Sequence, residues 1–193
     1  MGNGNRSLSR WEVLKRDYCL DCRVFSVMRK RFRHPVRRQE SDFFVLDAPA
    51  WVNVIAVTGD LRLVLVRQFR YGTEDFSLEI PGGMADSGED PVKAGMRELR
   101  EETGYVGRTA TEIGVVHPNP AIQNNRCHLV LIEGARKEKE IDWDSHEELE
   151  TVILDVEEAF SLAREGGITH SLVIDAFFFF LPHWERIRDG DGG

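Results

Sequence analysis

From Gly83 to Tyr105 the sequence reads GMADSGEDPVKAGMRELREETGY, and this stretch decides the fold of the 193-residue chain. Asp90 is a suitable N-cap residue, and Pro91 suits the first position of a helix. Gly104 suits the C-terminal end of the same helix. The stretch therefore predicts a loop that leads into one helix with a defined start and end.

Three glutamates of this helix share one face. Glu98, Glu101 and Glu102 stand at positions i, i+3 and i+4, which are neighbours on a helix surface. Three like charges at this spacing destabilise a helix unless a cation lies among them. Mg²⁺ prefers carboxylate, carbonyl and water oxygens, and Mn²⁺ can replace it. Because the Gly82-Gly83 turn lets the backbone approach closely, a carbonyl there can join the carboxylates in a magnesium site.

Arg97 and Glu89 are candidates for supporting these ligands. Arg97 lies four residues before Glu101 and can hold a carboxylate in place. Glu89 lies near the helix N-terminus, where it can brace the loop against the backbone. A charged helical string alone is more often a solvated surface. The fixed spacing of the Gly-Gly turn, Glu89 and Gly104 argues against that alternative.

At these residues the chain resembles the Nudix hydrolase family, whose motif is G-x5-E-x7-R-E-U-x-E-E-x-G-U, with U a bulky apolar residue. Every fixed position is matched, by Gly83, Glu89, Arg97, Glu98, Leu99, Glu101, Glu102 and Gly104. Tyr105 is a partial match at the last apolar position. The β-rich sequence on either side extends the resemblance over roughly residues 42–182.

Many strand-like runs with inserted helices predict an α+β fold. The resemblance implies a Nudix-type α/β/α sandwich around a mixed sheet. It also implies Mg²⁺-dependent hydrolysis of a nucleoside diphosphate linked to another moiety, which would give a nucleoside monophosphate and a sugar phosphate. The implied metal ligands are Glu98, Glu101, Glu102 and the carbonyl of Gly82. Arg97 joins Glu101 and Glu102 as a candidate catalytic residue.

Strand-like sequence from Trp11 to Asp47 precedes this core. Such an extension resembles the ADP-ribose and nucleotide-sugar pyrophosphatase branch, in which an N-terminal sheet builds a homodimer. We therefore expect disordered residues at 1–10, an N-terminal antiparallel β region that dimerises at 11–47, a Nudix hydrolase domain at 48–188 and a disordered tail at 189–193. Pro120, in the loop after the motif, is a further but weak sign of this branch.

Local signals also predict the ends of the C-terminal helices. Asp155 and Glu158 have the spacing of a capping box, and Gly166-Gly167 ends the helix that they open. Thr169 is the expected cap of the last helix. Pro182 is expected to bend or end that helix.

The resemblance implies substrate contacts outside the motif. The segment Arg67-Gln-Phe-Arg-Tyr71 matches the strand-end segment of this branch, where an arginine contacts substrate phosphate. Arg70 is our first choice and Arg67 the second, because the guanidinium fork suits a phosphate. Glu79 also fits a substrate-contacting position. The alternative for Arg70 is a surface charge at a strand end.

The loop His117–His128 is dense in hydrogen-bonding side chains, which indicates that it reads a sugar or a base. The candidate residues are Asn119, Gln123, Asn124 and Arg126. Two alternatives stay open. The loop could be pinned by its own asparagines, or His117 and His128 could bind metal, although their spacing fits no standard site.

The acidic run Asp142–Glu150 precedes the last strand-like segment. In the branch that the chain resembles, a loop at this place supplies another metal ligand or the general base that activates water. Counting back from Gly166, Glu147 matches this position best and Glu148 is second. The alternative is a solvated acidic turn.

The composition limits the partners of the chain. A net charge of −8 argues against a stable nucleic-acid partner, whereas a small nucleotide is allowed if a metal or a few arginines supply positive charge. No apolar run is long enough to cross a membrane. The three cysteines indicate reduced thiols in the cytoplasm. Two of them, Cys19 and Cys22, have the spacing of half a zinc site, whereas Cys127 stands alone.

Two other functions stay open. One is house-cleaning of (deoxy)nucleoside triphosphates or removal of a 5′ pyrophosphate from RNA, against which the N-terminal extension argues. The other is non-catalytic nucleotide sensing, which would tolerate eroded motif carboxylates, whereas here all are present. The sequence does not separate ADP-ribose from GDP-mannose or a broad range of nucleotide sugars.

Overall fold

The structure, a computed structural model, describes residues 8–139 and 148–189. Within these residues the chain forms two compact units. The smaller unit combines the described residues up to Ala48 with Asn119–Asn125, and the larger unit combines Pro49–Pro118 with the described residues from Arg126 onward. A segment that follows the motif in sequence therefore belongs with the N-terminal strands.

The smaller unit is a three-stranded antiparallel sheet in the order β1-β2-β3. Its strands are β1 (Glu12–Asp21), β2 (Ser26–Arg33) and β3 (Glu40–Asp47). One face carries ion pairs between neighbouring strands, namely Arg29–Asp17 at 3.0 Å, Arg31–Asp42 at 2.8 Å and Arg33–Glu12 at 3.1 Å. These pairs offset the positive charge of β2.

The opposite face of this sheet carries aromatic side chains. They occupy the strand positions that alternate with the ion-paired ones. Phe32 lies between the charged positions of β2, and its ring centroid is 5.6 Å from that of Phe43. Trp11 contacts Phe43 with the ring centroids 6.0 Å apart. Tyr18, which pairs with Met28 across the strands, is largely exposed on the same face. We call these the charged face and the apolar face, although Phe44, which pairs with Arg29, lies on the former and Lys30, which pairs with Phe43, lies on the latter.

The segment Asn119–Asn125 attaches to the end of β3. Leu46 forms a parallel bridge with Gln123. The side-chain amide of Asn124 donates a hydrogen bond to the carboxylate of Asp47. Part of the predicted specificity loop is thus pinned by one of its own asparagines, which is one of the alternatives that the sequence allows.

The larger unit is built on an eight-stranded mixed sheet. Its strands are β4 (Trp51–Thr58), β5 (Arg62–Arg70), β6 (Asp75–Glu79), β7 (Gly82–Met84), β8 (Tyr105–Val106), β9 (Thr109–Val116), β10 (Cys127–Lys137) and β11 (Leu149–Asp155). The strand order is β11-β5-β4-β10-β8, with β6 paired to β5, β7 to β4 and β9 to β10. β4 and β10 run parallel, and the other pairs are antiparallel.

Helices cover both faces of this sheet, namely α1 (Pro91–Thr103), α2 (Val156–Glu165) and α3 (Ser171–Arg188). Val52 and Val54 of β4 share a core with Leu99 of α1. The alternate residue Ile55 shares a second core with Phe160 and other apolar residues of α2 and α3. Alternation along one strand thus separates two cores. The predicted α/β/α sandwich with a mixed sheet is confirmed.

Helix α2 begins after Asp155 as predicted, but its cap and the start of α3 differ from the sequence prediction. Asp155 is the N-cap residue of α2, but its side chain makes no capping hydrogen bond, so the predicted capping box with Glu158 is wrong. α3 begins after His170, so Thr169 does not cap it.

Pro182 does not end α3, contrary to one of the two outcomes expected for it. The helix continues through the proline to Arg188. Phe180 and Trp184, which lie on either side of Pro182, are both buried in the core below the helix. Their packing holds the chain helical despite the lost hydrogen bond. No helix among the described residues is long and apolar enough to cross a membrane.

Candidate functional site

Helix α1 has the caps that its sequence predicts. The Asp90 carboxylate accepts hydrogen bonds from the backbone N–H groups of Val92 and Lys93, at 3.1 Å each. At the other end Gly104 has a φ of 73° and donates its N–H to the carbonyl of Arg100 at 3.0 Å. Both caps satisfy backbone groups that a helix end leaves open. They fix where the motif side chains stand along the helix.

The Gly82-Gly83 backbone lies directly against the glutamates of α1. A Cβ atom at Gly83 would lie 2.6 Å from an oxygen of the Glu98 carboxylate. Gly82 also has no room for a side chain, since a Cβ there would lie 2.3 Å from the carbonyl oxygen of Val52. The backbone N–H of Gly82 donates to Glu102 Oε2 at 2.9 Å. The glycines thus bring the turn next to two of the three predicted carboxylate ligands.

Arg97 is the centre of a hydrogen-bonded cluster. Its Nε and Nη2 atoms donate to the two oxygens of Glu89 at 3.2 and 3.1 Å. Its Nη1 atom donates to Glu98 Oε1 at 2.9 Å and to Glu101 Oε2 at 3.0 Å. Nη2 also donates to the carbonyl of Met84 at 3.1 Å. One guanidinium therefore fixes two predicted metal ligands relative to the loop before the helix.

The charges in this cluster reinforce one another. Hydrogen bonding to Glu89 is the largest effect on Arg97, and with Glu101 and Glu98 it raises the pKa of Arg97 above its usual value, against the opposing effect of burial. In turn, Arg97 and the backbone of Asp86 hold the pKa of Glu89 below its usual value. The Asp86 N–H donates to Glu89 Oε2 at 2.9 Å. Glu89 thus links the loop backbone to the arginine.

The chemistry of this cluster fits a hard divalent cation. Its oxygen donors are those that Mg²⁺ prefers, and they come from Glu98, Glu101 and Glu102. The single positive charge of Arg97 does not neutralise the four glutamates of the cluster. The Glu98 carboxylate occupies the space beside Gly83 that a Cβ atom would fill. Among the described residues no three such side chains converge as a metal-binding group. Two of the carboxylates are bound to Arg97, so a cation and Arg97 would share them.

Arg70 and Glu79, both predicted to contact substrate, bind each other. Arg70 Nε donates to Glu79 Oε1 at 2.8 Å, and Nη2 donates to Oε2 at 2.6 Å. The Glu79 side chain is 4% exposed and that of Arg70 is 43% exposed. Burial raises the pKa of Glu79, but the hydrogen bonds and charge of Arg70 lower it by more, so the pKa lies below its usual value. The pair is a buried anion with a partner that reaches the surface.

His170 belongs to this pair, although the sequence did not single it out. It is the N-cap residue of α3, and its Nε2 atom lies 3.8 Å from Glu79 Oε2. Its Nδ1 atom is buried and has no hydrogen-bond partner among the described residues. A histidine that precedes a helix forms no recognisable motif. Only the fold brings the start of α3 to the end of β6.

Arg67 is separate from the Arg70–Glu79 pair. Side chains three residues apart on a strand point to opposite faces. The guanidinium of Arg67 lies over the ring of Phe76, 5.1 Å from its centroid, and its Nη1 atom is 3.8 Å from Glu150 Oε2. The two arginines predicted to contact phosphate therefore stand in different surroundings, and only Arg70 is anchored by a buried carboxylate.

The predicted specificity residues are divided between the two units, with Asn119 and Gln123 in the smaller unit and Arg126 in the larger. The carbonyl of Asn119 accepts the N–H of Gln123 at 2.7 Å. Arg126 has an exposed side chain, and its carbonyl accepts the N–H of Trp51 at 2.8 Å. These backbone contacts order the loop. The roles of the three side chains toward a substrate stay predictions.

Glu147 lies outside the described residues, and its runner-up Glu148 is exposed just before β11.

His128, considered as a metal ligand with His117, instead has its Nδ1 atom 2.6 Å from Glu112 Oε2. Burial raises the pKa of Cys127 to about 12. In the part of the chain that the structure describes, none of these side chains, nor the Cys19–Cys22 pair, forms a metal-binding group. The same is true of the motif carboxylates, so the metal-binding roles of Glu147 and Glu148 stay predictions alongside theirs.

Comparisons with known proteins show the family of the chain. A family model described as NUDIX domain matches residues 48–177. An ADP-ribose pyrophosphatase of Bacillus subtilis (strain 168) is 33% identical over 127 residues, which are 64% of this chain and 68% of that protein. A methanol dehydrogenase activator of Bacillus methanolicus is 32% identical over 139 residues, 72% of this chain and 75% of that protein.

A crystal structure of an ADP compounds hydrolase has the same fold. It superposes with a TM-score of 0.81 at 21% identity, over 97% of this chain and 99% of that chain. The match to the family model covers the strands of the larger unit, the glycine turn and the motif helix described above. The chain therefore belongs to the Nudix family, as the motif from Gly83 to Tyr105 implies.

Proposed function

We propose that the chain hydrolyses the pyrophosphate bond of an ADP-sugar, with ADP-ribose as the first candidate, and releases AMP and a sugar phosphate. The observation that carries the proposal is the cluster in which the Gly82-Gly83 backbone and Arg97 hold the motif glutamates. The choice of substrate is supported by similarity to the ADP-ribose pyrophosphatase of Bacillus subtilis. GDP-mannose and other nucleotide sugars are the competing substrates.

Mg²⁺, with Mn²⁺ as a substitute, is the cofactor that we propose. The groups that would hold it are Glu98, Glu101, Glu102, the carbonyl of Gly82 and Glu147. When bound, a divalent cation offsets phosphate charge and lowers the pKa of a water molecule. Arg97 prepares the site by holding two of the carboxylates at the turn. The N–H of Gly82 orients a third carboxylate in the same way.

The proton of the attacking water needs a base that solvent can reach. Glu147 is our first candidate for that base. Glu101 is the alternative, because its side chain is 53% exposed whereas that of Glu98 is 13% exposed. The base takes the proton as the water oxygen forms its bond to phosphorus and the bridging P–O bond breaks. The charge then rests on the phosphate oxygens of the leaving group.

Arg70 is our candidate for offsetting that charge. Its guanidinium is anchored on one side by the two oxygens of Glu79 and is partly exposed on another. An anchored guanidinium needs little reorganisation when a phosphate arrives, which favours stabilisation of developing charge. Glu79 therefore acts on the substrate through Arg70. Arg67, Asn119, Gln123 and Arg126 stay candidates for contacts to the sugar, base or second phosphate.

We also propose that the three-stranded sheet of the smaller unit mediates a homodimer. Its strand β1 is exposed along nearly its whole length, and Tyr18 and Phe43 on the apolar face are 60% and 46% exposed. An exposed apolar surface of this kind marks an interaction site.

The three free thiols, Cys19, Cys22 and Cys127, support a reducing compartment, and we propose the cytoplasm.

A substrate panel tests the proposed reaction. ADP-ribose, GDP-mannose, UDP-glucose, a dNTP mixture and 5′-triphosphorylated RNA are assayed with Mg²⁺ and with Mn²⁺, and products are identified by mass spectrometry. We expect the highest kcat/KM for ADP-ribose, with AMP and ribose 5-phosphate as products. Glu102→Gln is the matched control and should lose about 100-fold or more in kcat.

Three results would contradict parts of this proposal. The highest kcat/KM on dNTPs or RNA would overturn the substrate class. Tight nucleotide binding without turnover of any substrate, with either metal, would replace the enzyme by a nucleotide sensor. Turnover of Glu102→Gln at the wild-type rate would remove this carboxylate from the proposed metal site.

A further inference from the structure

The buried carboxylate of Glu79 is shared by basic side chains from two separate elements. Arg70 of β5 donates to both of its oxygens, and its Nη2 atom is 2.6 Å from Oε2. His170, at the start of α3, places Nε2 3.8 Å from the same oxygen. Glu79 thus lies between the helix and the arginine that we assign to the substrate.

The surroundings of His170 favour one form of the imidazole. Nδ1 is buried without a hydrogen-bond partner among the described residues. A proton on Nδ1 would leave a buried donor unsatisfied, which costs more than an unpaired acceptor lone pair. The tautomer with its proton on Nε2 therefore fits, and that nitrogen is the one that lies 3.8 Å from Glu79 Oε2. The N-terminus of α3 carries partial positive charge and further favours the carboxylate there.

We propose that His170 is a positioning residue for Arg70. From the side of α3 its ring stands 3.8 Å from Glu79 Oε2 and limits the positions open to that carboxylate. Glu79 in turn holds the guanidinium of Arg70 in one orientation. This inference rests on the proposed function, in which Arg70 meets the substrate diphosphate. Without His170 the carboxylate can turn about its side-chain bonds. Arg70, which is 43% exposed, then loses its fixed direction and binds phosphate less well.

The substitution His170→Asn distinguishes the proposed positioning role from a purely structural role of His170 as a helix cap. His170 is the N-cap residue of α3, yet its side chain makes no capping hydrogen bond. Asparagine is among the best N-cap residues, so His170→Asn should keep or improve the stability of the helix. Its amide nitrogen stands where Nδ1 does and cannot reach Glu79. Glutamine places an amide nitrogen where Nε2 stands, and so His170→Gln is the matched control.

The experiment compares wild type, His170→Asn and His170→Gln with ADP-ribose and Mg²⁺. We expect His170→Asn to raise KM about fivefold while kcat stays within about twofold, since the loss concerns phosphate binding. His170→Gln should restore KM to within about twofold of wild type. Thermal unfolding of the three proteins shows that folding is retained.

A second measurement needs no substrate. The Nε–H group of Arg70 is followed by ¹H–¹⁵N NMR, with Arg70→Lys used to assign its signal. Its signal should be protected from exchange in wild type and His170→Gln, and exchange faster in His170→Asn. Unchanged exchange in His170→Asn overturns the proposal. Faster exchange with an unchanged KM confirms that His170 positions Arg70 and instead overturns the role of Arg70 in the proposed function.

Discussion

The backbone N–H of Gly82 donates a hydrogen bond to Glu102 Oε2 at 2.9 Å. This contact ties the last carboxylate of the motif helix to a short strand that ends before the helix begins. A backbone donor of this kind cannot change rotamer, so it gives the carboxylate one preferred direction. The adjoining Gly83 lies against a different carboxylate, that of Glu98, which fills the space beside the Gly83 Cα.

Alanine at these two glycines is expected to fail in two different ways. At Gly82 the added Cβ meets the carbonyl oxygen of Val52 at 2.3 Å, which cannot move without opening the β4–β7 pair. We expect Gly82→Ala to lower the free energy of unfolding by about 1–3 kcal/mol. At Gly83 the Cβ meets the far end of the flexible Glu98 side chain at 2.6 Å. Gly83→Ala should therefore stay folded and lose about 100-fold in kcat, because a displaced ligand costs activity more than stability.

Urea unfolding and steady-state kinetics measure the two effects separately. The matched control is Gly72→Ala in the turn between β5 and β6, since nothing lies within 4 Å of a Cβ there. It should change neither quantity appreciably. A normal kcat in Gly83→Ala would show that the position of Glu98 does not matter for the reaction.

Arg97 is expected to tune the metal affinity rather than to bind substrate. It donates to Glu98 and Glu101 from one nitrogen and is itself held by Glu89. Arg97→Gln should raise the Mg²⁺ concentration for half-maximal activity about tenfold, the usual effect of losing a residue that orients metal ligands. Arg100→Gln, on an exposed position of the same helix, is the control. If the two variants have the same Mg²⁺ dependence, the proposed role of Arg97 is wrong.

The parts of the fold that the sequence predicted are those encoded locally. Asp90, Pro91 and Gly104 mark the ends of α1 within a few residues of the motif, and the observed helix has these ends. The pairing of β7 with β4 was not foreseen, because a Pro-Gly-Gly run signals a turn and Gly82–Met84 is only three residues long. Its strand hydrogen bonds depend on β4, about thirty residues earlier in the chain.

The parts that the sequence missed depend on distant contacts. His170 and Glu79 are separated by most of the domain, and only the packing of α3 against the sheet brings them to 3.8 Å. In the same way, the sequence did not foresee the β-bridge between Gln123 and Leu46 of the N-terminal sheet; the role of the Gln123 side chain toward a substrate stays a prediction. Composition and spacing carry no information about such pairs.

Glu79 should make stability depend on pH in the acid range. Its pKa in the folded chain lies below the ordinary value of 4.5, despite burial, because Arg70 lowers it. The stabilisation is therefore complete above pH 4.5 and is lost as the pH falls through the lowered pKa. We expect wild type to exceed Glu79→Gln by about 1–2 kcal/mol in free energy of unfolding at pH 7, since Arg70 is half-exposed and screening reduces the effect.

Urea unfolding at pH 7 and pH 3 measures this difference. The gap between wild type and Glu79→Gln should shrink at pH 3. Glu150→Gln is the control, because Glu150 is 66% exposed and its ion pair with Arg67 is long, at 3.8 Å. A gap between wild type and Glu79→Gln that is equally large at both pH values would mean that its charge does not contribute to stability.

The apolar face of the N-terminal sheet should carry the proposed homodimer. Tyr18 and Leu20 lie on the same strand and are exposed to a similar degree, 60% and 57%. They pair with Met28 and Val27 respectively, which are adjacent in β2 and so point to opposite faces. Because the charged face already satisfies its ion pairs internally, we expect Tyr18→Glu to convert the dimer to a monomer by light scattering, while Leu20→Glu leaves the mass unchanged. The reverse result would move the interface to the charged face, and a monomeric wild type at all concentrations would remove the dimer altogether.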